Sequence, residues 1–448
     1  MTWVTSANAA LLTDLYELTM AASYHARGMN GGASFDLFVR KLPERRNFLV
    51  MCGLEQALDY LETLHFDESA IDYLRSLDAF SEEFLSYLGD LRFTGDVHAV
   101  PEGEVVFAGE PLLRVTAPLI EAQIVETFLL NCIIFQTMVA SKGARVALAS
   151  AGRSFVDFSP RRDHGADAAL KAARASYVAG ATATSNVLAG QIYGIPVNGT
   201  MAHSYVMAFE DELTAFRAFA EDFPDRAVLL IDTFDVEEGA RRAVSVGREM
   251  AGRGERLSGV RIDSGDVAHL ARSVRKILDE GSCNETQIVL SGDLDEYRIA
   301  QLLDEGVPVD AFGVGTQLGT SGDEPSLGGV YKLVADESGP KIKLSAGKIT
   351  LPGCKQVYRF ESDGRITHDL IALENESSPR GRPLLVKVME AGRPILPRAP
   401  LTDLRERCGA ALAGLPDRLR SLTKRSEYEV RHSERLEELV ASSQSRTY

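Results

Sequence analysis

At 448 residues the chain exceeds one typical domain, and 45% apolar with 25% charged residues is ordinary for a globular protein with a sizeable core. A formal net charge of −16 argues against duplex nucleic acid or an anionic membrane surface as the main partner, since both need a basic face; phosphate ligands, which need only a few local cations, stay open. Five scattered cysteines without metal-ligand spacing suit a reducing compartment, and a start carrying Asp14 and Glu17 without a basic n-region is no signal peptide, so a cytoplasmic location is expected.

In chain order, residues 9–27 read as a helix with Leu11, Leu15 and Leu18 on one side, and ASFDLFVRK at 33–41 alternates as a strand. Residues 54–90 suggest two or three amphipathic helices. From Gly95, turn residues between short β-prone runs mark a small antiparallel unit. A long apolar helix over 120–150 follows; its Glu121, Glu126, Lys142 and Arg145 mark it as a buried helix and not a membrane span. Between about 150 and 335, strand-like runs at 154–158, 192–197, 227–232, 258–263, 287–291 and 309–315 alternate with helix-like segments at 164–189, 205–222, 236–253, 266–280 and 294–305. That rhythm suits consecutive βα units around a parallel sheet, either a barrel or an open doubly wound sheet. Short strands return at 340–400 (KIKLSA, KQVYRF, PLLVKVME), and the chain closes in an amphipathic helix over 426–442. The expected domains are 1–140 and 336–448, which share a β-rich character and pack together, around a body at 141–335.

The strand-end loops carry the chemistry. They read SPRRDHG with Arg161 and Arg162, NGTMAHS with His203, DTFD with Asp232 and Asp235, DSGD after Arg261, SGDLDE with Gly292 and Asp293, and TQLGTSG. In a parallel βα architecture all of these lie on one face. Arginines beside glycine-rich turns suit phosphates, and several aspartates suit Mg²⁺ or ribose hydroxyls. Singly, any one Asp could cap the next helix, and a lone His is commonly a structural residue. Together they point to a phosphorylated, Mg²⁺-assisted sugar substrate. There is no closed metal shell, no G-x-S-x-G elbow and no P-loop.

These residues in this order resemble nicotinate phosphoribosyltransferase. The resemblance is carried by TDLYELTM (13–20), FVRKLP (38–43), FSPRRDHGADAAL (158–170), ATSNVLAG (183–190), NGTMAHS (198–204), LLIDTFD (229–235), VRIDSGD (260–266), LSGDLDE (290–296) and FGVGTQLGT (312–320), and runs from about residue 10 to beyond 390. It implies an α/β fold of the type II phosphoribosyltransferase kind: an irregular α/β barrel joined to a discontinuous α+β open sandwich made from both chain ends. It implies that nicotinate and phosphoribosyl pyrophosphate give nicotinate mononucleotide and pyrophosphate, with ATP hydrolysis coupled and Mg²⁺ required.

By motif position, His203 looks like the histidine phosphorylated by ATP, a role open to a neutral imidazole. Phe158 resembles the aromatic stacked on the pyridine ring, with Tyr16 on its other side. Arg261 and Asp263 look like the pair that positions ribose and substrate, with Asp232 and Asp235 supporting His203 or Mg²⁺ and water. Gly292, Gly315 and Thr316 resemble a 5′-phosphate cradle, and Arg40, Arg161 and Lys332 resemble ligands of pyrophosphate or ATP phosphates. Tyr16 and Arg40 would come from a second subunit, implying a homodimer with shared sites. Asn186 stands where the nicotinamide-using relative has an Asp, which favours nicotinate, with Arg261 available to its carboxylate. The rivals are that nicotinamide enzyme, the quinolinate enzyme, which needs a more basic pocket, and a non-catalytic metabolite-binding protein, which the presence of His203, Arg261 and Asp263 disfavours.

Overall fold

The computed structural model describes residues 4–344, 350–376 and 380–445. The chain divides into two compact units: a continuous one, Lys142–Pro325, and a composite one made of Met1–Ser141 with Ser326–Tyr448.

Lys142–Pro325 is built on six strands: β1 Ser154–Asp157, β2 Ala183–Thr184, β3 Val228–Leu230, β4 Gly259–Ile262, β5 Gln287–Leu290 and β6 Ala311–Val314. They pair in the order β2-β1-β6-β5-β4-β3, every neighbour parallel, and the sheet curls into a half-barrel. The barrel expected from the resemblance is thus open: among the described residues no pairing joins β3 to β2, and a single parallel bridge from Thr184 to Val197 extends the β2 edge. Leu229, Leu230, Val260, Ile262, Ile288, Leu290, Phe312 and Val314 are fully buried, as strands covered on both faces must be. The covering helices follow the same logic. Val267–Glu280 buries Val267, Ala271, Val274 and Leu278, one stripe at helical spacing.

One expected strand is absent. Residues 192–197 hold the end of a helix, Val187–Tyr193, and the expected helix 164–189 splits into Ala166–Val178, β2 and that short helix. Asn186 caps it by accepting from the Ala189 N–H at 3.1 Å, and Gly194 ends it at φ +69. The short apolar run IYGIPV does not distinguish helix from strand by periodicity.

The composite unit contains a seven-stranded antiparallel sheet in the order Gly339–Pro340, Gly329–Asp336, Gly32–Val39, Pro111–Pro118, Asp96–Ala99, Val386–Glu390, Arg393–Pro394. Both chain ends are woven into it. Gly329–Asp336 pairs along Gly32–Val39, so the body ends at Pro325 and not at 335, which would cut a strand from its sheet. A second, four-stranded sheet orders Arg382–Pro383, Lys355–Ser362, Arg365–Leu373 and Glu429–His432. Leu37, Val115, Val357, Ile371 and Met389, from both sheets, share one buried cluster.

Two tail expectations change. Residues 341–344 of KIKLSA form no strand, and its last two residues lie outside those described. Residues 426–442 hold the strand Glu429–His432, parallel to Arg365–Leu373, before the helix Glu434–Ser445. A helix at Leu401–Ala413 also appears. The expected helix over 120–150 is two, Leu119–Ile124 and Glu126–Ala149. The second has the length and composition of a membrane span, but 78% of its apolar window is buried within the protein.

Candidate active site

The C-terminal ends of β1, β4, β5 and β6 open onto a cleft of about 250 Å³, walled by Phe158, Arg161, Arg162, Asp263, Gly292 and Thr316 among others. Phe158 follows β1, and its N–H donates to the Val314 carbonyl at 2.9 Å, tying β1 to β6. Its ring lies over Gly313, where a Cβ would come within 2.4 Å of the ring carbons. Only a glycine leaves room for the aromatic in that place. The Arg261 guanidinium, from β4, stands 6.0 Å from the ring centroid. It donates to Thr200 Oγ1, while its Nε is buried without a partner among the described residues.

Asp263 lines the polar side of the cleft and is bonded to Asp232. Asp263 Oδ1 accepts from Ser291 Oγ at 2.5 Å, and the Asp263 N–H donates to Asp232 Oδ2 at 3.0 Å. Ser264 Oγ donates to the same Asp232 oxygen at 2.7 Å. The other oxygen, Asp232 Oδ1, is buried and accepts from none of the described residues. A buried carboxylate oxygen left open is costly unless a donor or cation reaches it. Gly292 makes the arrangement possible: at φ +86 a Cβ would sit 1.8 Å from the Asp263 carbonyl oxygen. Gly315 and Thr316 line the cleft where the short helix Thr316–Gly319 begins, so its first N–H groups lack intrahelical acceptors.

His203 opens the helix His203–Met207 and is half-buried, with Nδ1 3.1 Å from Thr233 Oγ1. It does not wall the cleft; it is joined to it through Thr233, the adjacent Asp232 and then Asp263. The aspartates that read alike in sequence separate here. Asp235, Asp266 and Asp295 are helix caps, accepting from the N–H groups of Glu238, His269 and Arg298 at 2.9, 3.3 and 2.7 Å. Asp232 and Asp263 cap nothing.

Asn186 also lies apart from the cleft walls. Its Oδ1 caps a helix and its Nδ2 donates to the Ala169 carbonyl at 3.4 Å, so both ends of the amide are engaged within the fold. Tyr16, Arg40 and Lys332 belong to the composite unit. Tyr16 is 50% exposed, Arg40 has a buried, unpartnered Nε, and Lys332 pairs with Glu126 at 3.2 Å.

Two supporting residues had not been singled out, Asp157 at the end of β1 and Asp163 inside FSPRRDHGADAAL. Asp157, fully buried, accepts from the Ser159 N–H at 2.9 Å and Thr184 Oγ1 at 2.8 Å. Burial raises its pKa. Asp163 accepts from Ser159 Oγ at 3.0 Å. Burial above all, with the Asp157 charge, pushes its carboxyl up to about 6. Its Oδ1 lies where a Cβ on Gly319 would stand, 1.9 Å away, so this acid packs the Arg161 loop against the helix that starts at Thr316. Only the close packing of two glycine-containing loops reveals that role. Among the described residues no three His, Cys, Asp or Glu side chains are grouped to hold a metal by themselves.

Comparison with known proteins places the chain in a family. Residues 11–134 match the nicotinate phosphoribosyltransferase N-terminal domain and residues 154–334 the nicotinate phosphoribosyltransferase family. Nicotinate phosphoribosyltransferase pncB2 of Mycobacterium tuberculosis is 47% identical over 414 residues, covering 92% of this chain and 89% of that protein. The Bacillus subtilis nicotinate phosphoribosyltransferase is 44% identical over 379 residues, covering 82% and 76%. The crystal structure of human nicotinic acid phosphoribosyltransferase superimposes with a TM-score of 0.86 at 30% identity, over 96% of this chain and 99% of that one. With both halves matched and identities of this size over most of its length, the chain belongs to the nicotinate phosphoribosyltransferase family.

Proposed function

We propose that this protein is a cytoplasmic enzyme that transfers the phosphoribosyl group of phosphoribosyl pyrophosphate to the ring nitrogen of nicotinate. Nicotinate mononucleotide and pyrophosphate leave, and ATP is hydrolysed alongside through a phosphohistidine at His203. The observation that carries this reading is the pairing of Phe158 with Arg261, 6.0 Å apart in the sense of guanidinium to ring centroid. A flat ring stacked on Phe158 would present its carboxylate to that cation. Asn186 is engaged as a cap, so the preference for acid over amide is assigned chiefly to Arg261.

The pyridine nitrogen brings its own lone pair. It forms the new bond to C1′ of the ribose as the C1′–O bond to pyrophosphate breaks, and the departing oxygen keeps that bond's electrons. No general base is needed. The protein's tasks are to align the two reactants and stabilise the departing charge. Asp263, held by Ser291, orients ribose hydroxyls. Gly292, Gly315 and Thr316 let backbone approach the 5′-phosphate, and Arg161 faces the pyrophosphate.

The donor set fits Mg²⁺ in the manner usual for that ion, through one or two carboxylates with substrate phosphates and water, Asp232 Oδ1 being the open oxygen. When bound, Mg²⁺ would neutralise charge on pyrophosphate. His203 keeps Nδ1 against Thr233, which leaves Nε2 to take the γ-phosphoryl group of ATP as ADP departs, and water later releases that group as phosphate, restoring the imidazole. Tyr16 and Arg40 act from the second subunit of a homodimer, Tyr16 closing over the pyridine ring, while Arg40 and Lys332 take phosphates.

The test is product formation from nicotinate, phosphoribosyl pyrophosphate and Mg²⁺, with and without ATP, beside a parallel nicotinamide reaction. Product from nicotinate alone, raised by ATP, is expected. Product from nicotinamide, or none from either, would overturn the reading.

A further inference from the structure

We propose that Glu17 is a positioning residue that acts through Gln123 and Glu126 to set how much of the Lys332 charge is available to a phosphate; this rests on the assignment of Lys332 to phosphate binding made above. Glu17 stands in the first turn of the helix Leu15–Ala26, directly after Tyr16, and is completely buried. Its Oε2 accepts from Gln123 Nε2 at 2.5 Å, and its Oε1 has no hydrogen-bond partner among the described residues. The same Gln123 nitrogen lies 3.4 Å from Glu126 Oε2, and Glu126 Oε1 is 3.2 Å from Lys332 Nζ. Two carboxylates therefore share one amide group, and the only cation on this chain of contacts is at its far end. Lys332 is the most open member, with its side chain 33% exposed against 10% for Glu126.

The groups facing Glu17 are Asp14 at the cap of its helix, Tyr16 beside it, Glu126 from the neighbouring helix, and Tyr331 from the strand Gly329–Asp336; Lys332, next along that strand, meets Glu126. Tyr331 donates its hydroxyl proton to the Ala122 carbonyl at 2.7 Å and is not available to Glu17. Burial above all pushes the Glu17 carboxyl up to about 7, against the pull of the Gln123 hydrogen bond. Near neutrality the residue thus exchanges a proton. In its ionised form the charge of two buried carboxylates holds the Lys332 ammonium on Glu126, and an incoming phosphate must compete with both. In its protonated form it competes with one.

The experiment measures KM and kcat for phosphoribosyl pyrophosphate from about pH 6 to about pH 8 in the wild type, Glu17→Gln and Lys332→Met, with melting temperatures alongside. The KM ratio of variant to wild type cancels the ligand's own titration. Glu17→Gln keeps the acceptor for Gln123 and is expected to lower KM about threefold at pH 8, to leave it unchanged at pH 6, and to keep kcat within about twofold. Lys332→Met is expected to raise KM throughout. If Lys332→Met leaves KM unchanged, the phosphate assignment of Lys332 falls and the proposal with it. If it raises KM while Glu17→Gln follows the wild-type pH profile and alters only melting, the proposal alone falls. Should Glu17→Gln not fold, Glu126→Gln serves instead: it removes the carboxylate that holds Lys332 and must lower KM, and an unchanged KM overturns the coupling.

Discussion

Asp232 in the half-barrel unit and Asp369 in the composite unit are both buried aspartates, and their oxygens are treated differently. Asp369 takes the Arg359 guanidinium at 2.6 Å on one oxygen and the Tyr428 hydroxyl at 2.9 Å on the other. Arg359 also donates to the Val105 carbonyl at 2.8 Å and reaches Glu104 at 3.4 Å. Asp232 fills one oxygen with neighbouring donors and leaves the other buried and empty. The arginines differ in the same way, since Arg261 keeps an unpartnered Nε. Around Asp369 charge is spent on joining segments far apart in the chain. At the half-barrel's strand ends it is held in place and left unsatisfied, which costs stability and is what a ligand needs.

The comparison breaks most sharply at His203. His203→Ala is expected to reduce ATP hydrolysis and its coupling to background while the protein stays folded; ATP that still stimulated product formation in this variant would remove the phosphohistidine from the account. Next comes Gly292→Ala. A Cβ 1.8 Å from the Asp263 carbonyl, at φ +86, forces the loop off Asp263, and displacement on the scale of an ångström costs about 100-fold in kcat/KM. Wild-type kinetics would mean that this close approach does not organise the site.

The composite unit should answer in stability instead. Arg359→Met leaves Asp369 and Glu104 without their shared cation and is expected to cost about 3–5 kcal/mol in denaturant unfolding. Replacing Asp369 by Leu in the same protein should recover part of that loss. If the double variant is no more stable than the single one, the network is not the mutual neutralisation described above.

The smallest effect concerns Asp163. Its folded pKa, about 6, is raised above that of the unfolded chain, so the folded state holds the proton more tightly. Its contribution is full at acid pH and is lost as pH rises from about 4 to about 6. Asp163→Asn should therefore raise the melting temperature by about 2 °C at neutral pH and by less near pH 5. An equal shift at both pH values would remove titration as the cause.

Much of the half-barrel was legible from local pattern. The runs at 227–232, 258–263, 287–291 and 309–315 became β3 to β6 with ends trimmed by two residues or fewer, because a strand buried on both faces is written as an unbroken apolar run. The run at 192–197 misled because six residues carry no decisive period, and the cap at Asn186 and the stop at Gly194 outweighed its β-branched residues. The candidate site was legible as a set of loops but not as a set of roles. Asp235, Asp266 and Asp295 share the local signature of Asp232 and Asp263, an acid between strand and helix. Only the hydrogen bonds made after folding separate caps from open carboxylates.

What the sequence by itself determined was the order of elements, the βα rhythm and the family. All three are written in short-range periodicity and contiguous motifs. The tertiary structure alone decided that Gly32–Val39 lies between Pro111–Pro118 and Gly329–Asp336 and that, among the described residues, the parallel sheet stays open beyond β2 and β3 and Asp232 and Arg261 keep unpartnered atoms. Strand pairing and hydrogen-bond saturation depend on which distant segment arrives alongside, and no local window of residues carries that information.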